Sequence, residues 1–250
     1  MASRTVGSLA VEVHPDPVAL GAAAAAAIAG QLRDLLDRQE IVRMVFAAAP
    51  SQHETLKALS AAEGIDWRRV DAFHMDEYVG IAADAPQRFG NWLRREFFDA
   101  VPLRSAHLID PSNEPAAEAA RYGALAGAAP IDVVLAGIGI TGHLAFNDPP
   151  ADFATTAAVA VVELDELSLR QQVDEGLFAR TADVPAQALT MTVPFLLSAG
   201  RIFCMVSGNH KRAAVRLTLD EPVSPMAPAS PLREHPHARL FLDAAADPGG

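Results

Sequence analysis

Residues 131–150 read Ile131-Asp-Val-Val-Leu-Ala-Gly-Ile-Gly-Ile-Thr-Gly-His-Leu-Ala-Phe-Asn-Asp-Pro-Pro150, an apolar run with β-branched residues that breaks into a glycine turn. Gly137, Gly139 and Gly142 have the G-x-G-x-x-G spacing directly after a predicted strand. That pattern cradles a dinucleotide when a helix of several turns opens at the third glycine. Pro149 and Pro150 leave room for about two turns at most, since proline cannot continue a helix. The acids Glu163 and Asp165 near the end of the next predicted strand therefore do not complete a dinucleotide site. The stretch reads instead as a strand and a flexible turn that presents His143 and Asp148 at a sheet edge.

Outward from this stretch, apolar runs alternate with longer helical patterns. Strands are predicted at Ile41–Ala47, Val70–Phe73, Ala106–Ile109, Ile131–Ala136, Ala158–Leu164, Arg201–Val206 and Ala238–Leu242. Helices are predicted over about 17–37, 52–63, 86–99, 114–127, 165–173, 186–199 and 209–220, the last opened by Asn209 as N-cap. Such alternation implies an α/β fold, a three-layer α/β/α arrangement around a mostly parallel, Rossmann-like sheet. No fixed-period repeat or Gly/Ser linker divides the chain, so residues 1–250 read as a single domain. Residues 221–236 read as a Pro-rich loop within it, and residues 244–250 as a frayed tail.

Composition narrows the function classes. Half of the 250 residues are hydrophobic, which excludes disorder, and the lone Cys204 excludes a disulfide scaffold. With 31 Asp and Glu against 20 Lys and Arg, the net charge of −11 argues against a nucleic-acid surface. A bound phosphate must then be small and met by a local cluster. The apolar run 22–27 follows Pro15-Asp-Pro17 and precedes a charged helical pattern, so it reads as a Pro-started helix and not a signal peptide. No uninterrupted apolar stretch of about 18 residues is present, so neither a membrane nor nucleic acid is expected as a partner. A soluble cytoplasmic protein is expected.

In open α/β sheets ligands bind beyond the carboxyl ends of the strands. Four segments there carry unusual chemistry. In the glycine turn, His143 with Asp148 suits general acid/base work, although a histidine in a turn also serves as a plain polar residue. In Val70-Asp-Ala-Phe-His-Met-Asp-Glu-Tyr-Val-Gly80, Asp76 and Glu77 stand beside His74. A carboxylate there can act as a base if water is excluded, and is otherwise a solvated loop acid. In Ala47-Ala-Ala-Pro-Ser-Gln-His-Glu54, Ser51 opens a helix and reads as a phosphate-binding turn or a simple cap. In Val206-Ser-Gly-Asn-His-Lys-Arg212, Lys211 at a helix start opposes the helix dipole, which suits a facing anion or mere solvation.

These residues resemble a known family. Phe73-His-Met-Asp-Glu-Tyr-Val-Gly80 resembles the N-M-D-E-Y-V-G segment of glucosamine-6-phosphate deaminases, and Gly137–Pro149 their G-V-G-x-D-G-H-I-A-F-N-E-P. Ala188-Leu-Thr-Met-Thr-Val-Pro194 and Ser207-Gly-Asn-His-Lys211 fall where that family has A-L-T-x-G-V-G and G-x-x-K. The resemblance spans about Ile41 to Leu242 in the same order. It implies aldose–ketose isomerisation of a 2-amino-sugar 6-phosphate with loss of ammonia, and no cofactor or metal. Asp76 matches the carrier of the proton between sugar C2 and C1, and His143 the residue that helps open the ring. Lys211 matches a phosphate ligand. Ser51 and Gln52 lie at the phosphate loop, and Gly139 and Gly142 in the substrate turn. The chain departs from the family at Thr141, where it has aspartate, and at Asp148, where it has glutamate. The phosphate loop has lost its glycines. The phosphate-binding arginine has no clean counterpart: Arg170 is near and Gln172 falls at its place without gaps. A phosphosugar partner with altered specificity is therefore expected, and oligomeric state is left open, homo-oligomers included. The related 6-phosphogluconolactonases, in which the histidine activates water, and a non-catalytic sugar-phosphate sensor are the alternative readings.

Overall fold

The computed structural model describes residues 2–249. The chain opens with a hairpin, β1 (Ala2–Val6) and β2 (Leu9–His14), followed by α1 (Pro17–Leu36). Asp16 caps α1 by accepting from the Ala19 amide at 2.8 Å, and Pro17 supplies a helical φ where no N–H is needed. Next come β3 (Val42–Phe46), α2 (His53–Ser60), β4 (Val70–His74), β5 (Asp76–Tyr78) and α3 (Phe89–Leu93). They are followed by β6 (Ser105–His107), α4 (Pro115–Ala126), β7 (Val133–Ala136), β8 (Val159–Glu163) and α5 (Glu166–Asp174). The chain ends with β9 (Gln187–Met191), α6 (Val193–Leu197), β10 (Arg201–Val206), α7 (Arg212–Asp220) and β11 (Ala238–Asp243).

Eight strands form one sheet in the order β1-β2-β11-β10-β7-β3-β4-β6, all neighbours parallel except β1 and β2. Strand side chains alternate between two cores. Val45, Phe73, Val134, Cys204 and Leu240 face α4, α6 and α7, whose Tyr122, Leu196 and Val215 are buried against them. Met44, Ala72, Leu135, Met205 and Phe241 face α1, α2 and α3 through Leu20, Ile28, Leu56 and Leu93. The three-layer expectation therefore holds, because the central strands bury both faces, while the edge strands β1 and β6 stay partly open. By length and composition α1 could cross a bilayer, but its Leu20, Ala24, Ile28 and Leu32 stripe is buried in this core.

Four expectations need correction. Residues 158–164 do form a strand, β8, but it lies in a separate antiparallel sheet of order β5-β9-β8. The helix expected over 186–199 is a strand, β9, then the short α6. Leu189, Thr190 and Met191 pair with β8 in extended form, and Thr192 and Pro194 start the helix. Asn209 caps nothing: Gly208, at φ +94°, opens a single 3-10 turn over Asn209–Lys211 that leads into α7. The tail is not frayed through 249, since Ala246 is fully buried and Asp247 pairs with Arg4; Gly250 lies outside the described residues.

Candidate active site

The sheet reverses direction of travel between β3 and β7: the chain leaves β3 toward β4 on one side and reaches β10 from β7 on the other. A crevice opens beyond the strand ends at such a switch point. Here it is a cleft of about 860 Å³. It is lined by Ala47–Ser51 after β3, Met75 and Asp76 after β4, Gly137–Ile140 and His143 after β7, and Ser207 and Lys211 after β10. Gln171, Gln172 and Glu175, on and just after α5, form the facing wall.

No helix opens at Gly142. Instead the Gly139 amide donates to the His143 carbonyl and the Gly142 amide to the Gly139 carbonyl, each at 3.0 Å, which curls the turn. Gly142 takes φ +82°, a backbone region that glycine alone adopts freely. The curl places the His143 ring in the cleft wall with Nδ1 2.8 Å from Asp148 Oδ1. Thr141 Oγ1 lies 2.9 Å from the same nitrogen, and Ser168 Oγ donates to Asp148 Oδ1 at 2.7 Å. Burial raises the Asp148 carboxyl, but the His143 and Ser168 hydrogen bonds outweigh it and hold its pKa below the ordinary carboxylate value. An ionised Asp148 fixes a proton on Nδ1 and leaves Nε2 to exchange protons with a ligand. Asp148 and Thr141 do not line the cleft; they stand behind its wall and touch His143 from there.

Asp76 begins β5, and antiparallel pairing with Thr190 on β9 fixes it at the cleft. Burial, then the neighbouring Glu77, push its pKa well above the usual carboxylate value. A carboxyl whose pKa is raised is a stronger base when ionised, and can take a proton from one atom and pass it to another. Its sequence neighbours do other work. Glu77 is fully buried and accepts from the amides of Tyr78, Phe89 and Gly90 at 3.2, 3.1 and 3.0 Å, tying β5 to the start of α3. His74 is fully buried and accepts from the Ile109 amide at 2.8 Å, and its pKa is pushed down to about 3, chiefly by burial.

The far end of the cleft departs most from expectation. Ser51 lines it, but Gln52 is buried behind it, donating to the Ala136 and Met205 carbonyls at 3.2 and 3.4 Å. Gln52 straps three strand ends together and does not line the cleft. Gly142 likewise serves the turn and does not line the cleft, whereas Gly139 does. Arg170 is exposed on the outer face of α5, because the helix turns Ser168, Gln171, Gln172 and Glu175 inward. Lys211 does reach the cleft, but its Nζ lies 3.3 Å from Glu175 Oε1, which also accepts from Gln171 Nε2 at 2.7 Å. Burial draws the Lys211 pKa down despite that partner.

Sequence reasoning missed Ser168 and Glu175. The signal was available as the spacing 168, 171, 172, 175, one polar helix face. Among the described residues no three His, Cys, Asp or Glu side chains converge as a metal site.

Comparison with known proteins identifies the family and the fold. A glucosamine-6-phosphate deaminase of Pseudarthrobacter chlorophenolicus is 32% identical over 224 residues, covering 87% of this chain and 85% of that protein. One from an Arthrobacter species is 32% identical over 241 residues, covering 94% and 90%. The solved structure of a monomeric glucosamine-6-phosphate deaminase superposes with a TM-score of 0.86 at 26% identity, covering 94% of this chain and 98% of that one. The 6-phosphogluconolactonase of Thermotoga maritima shares the fold, with a TM-score of 0.76 at 17% identity over 96% of this chain and the whole of that one. Residues 15–241 match the family described as glucosamine-6-phosphate isomerases/6-phosphogluconolactonase, and the chain belongs to that family of enzymes.

Proposed function

We propose that the cleft isomerises and deaminates a 2-amino-2-deoxyaldose, the reaction type of the glucosamine-6-phosphate deaminases that it resembles, with glucosamine 6-phosphate as reference substrate. The observation that carries this reading is the convergence of two proton carriers at the switch-point crevice: Asp76 with a raised pKa, and His143 with Asp148 behind it. His143 Nε2 takes the proton of the anomeric hydroxyl and returns it to the ring oxygen, which opens the pyranose. Asp76 removes the C2 proton of the open aldose while O1 takes up a proton released by the 2-ammonium group, which gives an enolamine, and Asp76 then delivers its proton to C1. Water adds to the resulting C2 iminium, the C–N bond breaks, and ammonia and a 2-ketose leave. The overall change is consumption of one water, so the reaction is formally hydrolytic.

The test is ammonia release coupled to NMR detection of the ketose, with 6-phosphogluconolactone as a second substrate. Asp76→Asn should lower kcat by about 100-fold to 10,000-fold, the range for loss of a general acid/base. Undiminished turnover in that variant sinks the assigned roles, and lactone hydrolysis faster than ammonia release sinks the reaction.

A further inference from the structure

Lys211 is, among the described residues, the sole Lys or Arg lining the cleft, against four carboxyl residues: Glu54, Asp76, Asp174 and Glu175. A phosphate dianion in a buried site needs several donors or cations of its own. Here the one ammonium is already matched. Glu175 Oε1 sits 3.3 Å from Lys211 Nζ, and both side chains are largely buried, at 16% and 8% exposure. Gln171 fixes that carboxylate by donating at 2.7 Å, while its own Oε1 accepts from the Ile140 amide at 3.1 Å. The Glu175 side chain is therefore tied to the glycine turn through Gln171 and cannot swing out without breaking this link. A dianion arriving at Lys211 must either dislodge Glu175 or sit beside it as a like charge, next to a pair that is itself largely buried. Among the described residues the same cleft holds, besides the pair, the Ser51 and Ser207 hydroxyls and the His53 and His210 rings, and no second Lys or Arg.

We propose that Glu175 is a specificity-determining residue that turns the far end of the cleft against a phosphate dianion, so that the amino sugar turned over best ends in an uncharged hydroxyl there. This rests on the deamination reading above and names the substrate class for it. Like charges juxtaposed in an interface discriminate strongly, whereas a hydroxyl meets the Lys211–Glu175 pair with no charge of its own.

The experiment compares D-glucosamine with D-glucosamine 6-phosphate on the wild type, Glu175→Gln and Lys211→Met, by ammonia release and by calorimetric binding. The wild type should favour D-glucosamine by at least about tenfold in kcat/KM and in Kd. Glu175→Gln keeps an acceptor for Gln171 and removes the charge, so it should move the ratio at least about tenfold toward the phosphosugar. Lys211→Met leaves Glu175 unmatched and should move the ratio the other way. A wild type that prefers the phosphosugar, or a ratio unmoved in Glu175→Gln, overturns the role of Glu175. Thermal melting identifies a misfolded variant, and the wild-type and Lys211→Met arms still decide if Glu175→Gln does not fold. Calorimetry reads the same ratio if neither sugar releases ammonia, so loss of the deamination reading is distinguishable from loss of the Glu175 role.

Discussion

A β-carbon on Gly139 would lie 1.7 Å from Nε2 of His143 and 2.1 Å from its Cδ2 and Cε1 carbons. The imidazole thus occupies the space that any other residue at 139 would fill. It cannot retreat, because Asp148 holds Nδ1 from the opposite side. The glycine spacing that imitates a dinucleotide fingerprint has a steric reason here: it makes room for the His143 ring. Gly139→Ala should displace Nε2 by about 1 Å, and a shift of that size costs on the order of 100-fold in rate. Steady-state kcat measures it, and near wild-type kcat in a folded Gly139→Ala protein would refute this account.

Behind the ring, three side chains divide the work that a single strong acid partner would do. Asp148 carries the charge, Ser168 donates to it at 2.7 Å, and Thr141 touches Nδ1 at 2.9 Å. Asp148→Asn can present an amide N–H to Nδ1 and so place the ring proton on the wrong nitrogen. A loss of kcat of about 100-fold to 10,000-fold is expected, by analogy with an asparagine that replaces the acid of a catalytic triad. Thr141→Val and Ser168→Ala keep the charged partner, so each should cost about tenfold or less, with the Ser168→Ala pH–rate profile displaced from wild type. If Thr141→Val proves as damaging as Asp148→Asn, the hydroxyl and not the carboxylate orients His143.

The two buried carboxyls of β5 set how stability varies with pH. Burial pushes the Glu77 pKa up to about 7, against the amide hydrogen bonds that lower it, and Asp76 is raised well above its ordinary value. Unfolded, both titrate near pH 4. The folded state therefore binds these protons more tightly than the unfolded chain does. The stability that they confer is complete below about pH 4 and is lost as pH rises through the folded values. Asp148, with its lowered pKa, acts in the opposite sense and withdraws support only as pH falls below about 4. Between pH 5 and pH 8 the two carboxyls of β5 pull the wild-type melting temperature down, while His74, His107 and His235, whose pKa values burial lowers, pull it up. The comparison with Asp76→Asn isolates the carboxyl: going from pH 5 to pH 8 that variant should lose less, or gain more, than wild type and be the more stable protein at pH 8, even as activity is lost. Melting curves by circular dichroism at the two pH values decide it, and an equal change in both proteins would remove Asp76 from the explanation.

What the sequence made legible follows the physics of each region. The parallel strands bury both faces and so appear as continuous apolar runs, which is why Val42–Phe46, Val133–Ala136 and Arg201–Val206 could be placed from sequence alone. The small antiparallel sheet was not legible. Asp76–Tyr78 is three residues long, and Gln187–Met191 runs directly into a helix start, so neither shows a period of its own. Asp76, His143 and Lys211 were found because their motifs lie at strand ends, where the cleft forms. Glu175 was missed for a different reason. Its pairing with Lys211 depends on the rotation of α5 that places Arg170 outside and Glu175 inside, a phase carried by the polar spacing 168, 171, 172, 175 and not by counting charges along the chain.

The alanine-rich α1 offers a matched pair of tests of whether its glycines are there for packing. A β-carbon on Gly21 would lie 2.6 Å from Glu54 Cβ, 2.7 Å from the Glu54 carbonyl carbon and 2.9 Å from the Thr55 amide nitrogen, two of them backbone atoms that cannot yield. A β-carbon on Gly30, in the same helix, would meet nothing within 4 Å. In a helix interior alanine is favoured over glycine by about 1 kcal/mol, so propensity alone predicts that both substitutions stabilise. Overpacking costs about 1–3 kcal/mol and acts only at Gly21, where α1 would be forced away from α2. Gly30→Ala should therefore raise the melting temperature by about 2–4 °C, the shift for 1 kcal/mol in a chain of this size. Gly21→Ala should lower it, because separating the helices also opens the core around Leu20 and Leu56. Stabilisation by both substitutions would mean that α1 and α2 adjust without loss, and that Gly21 does not set their approach.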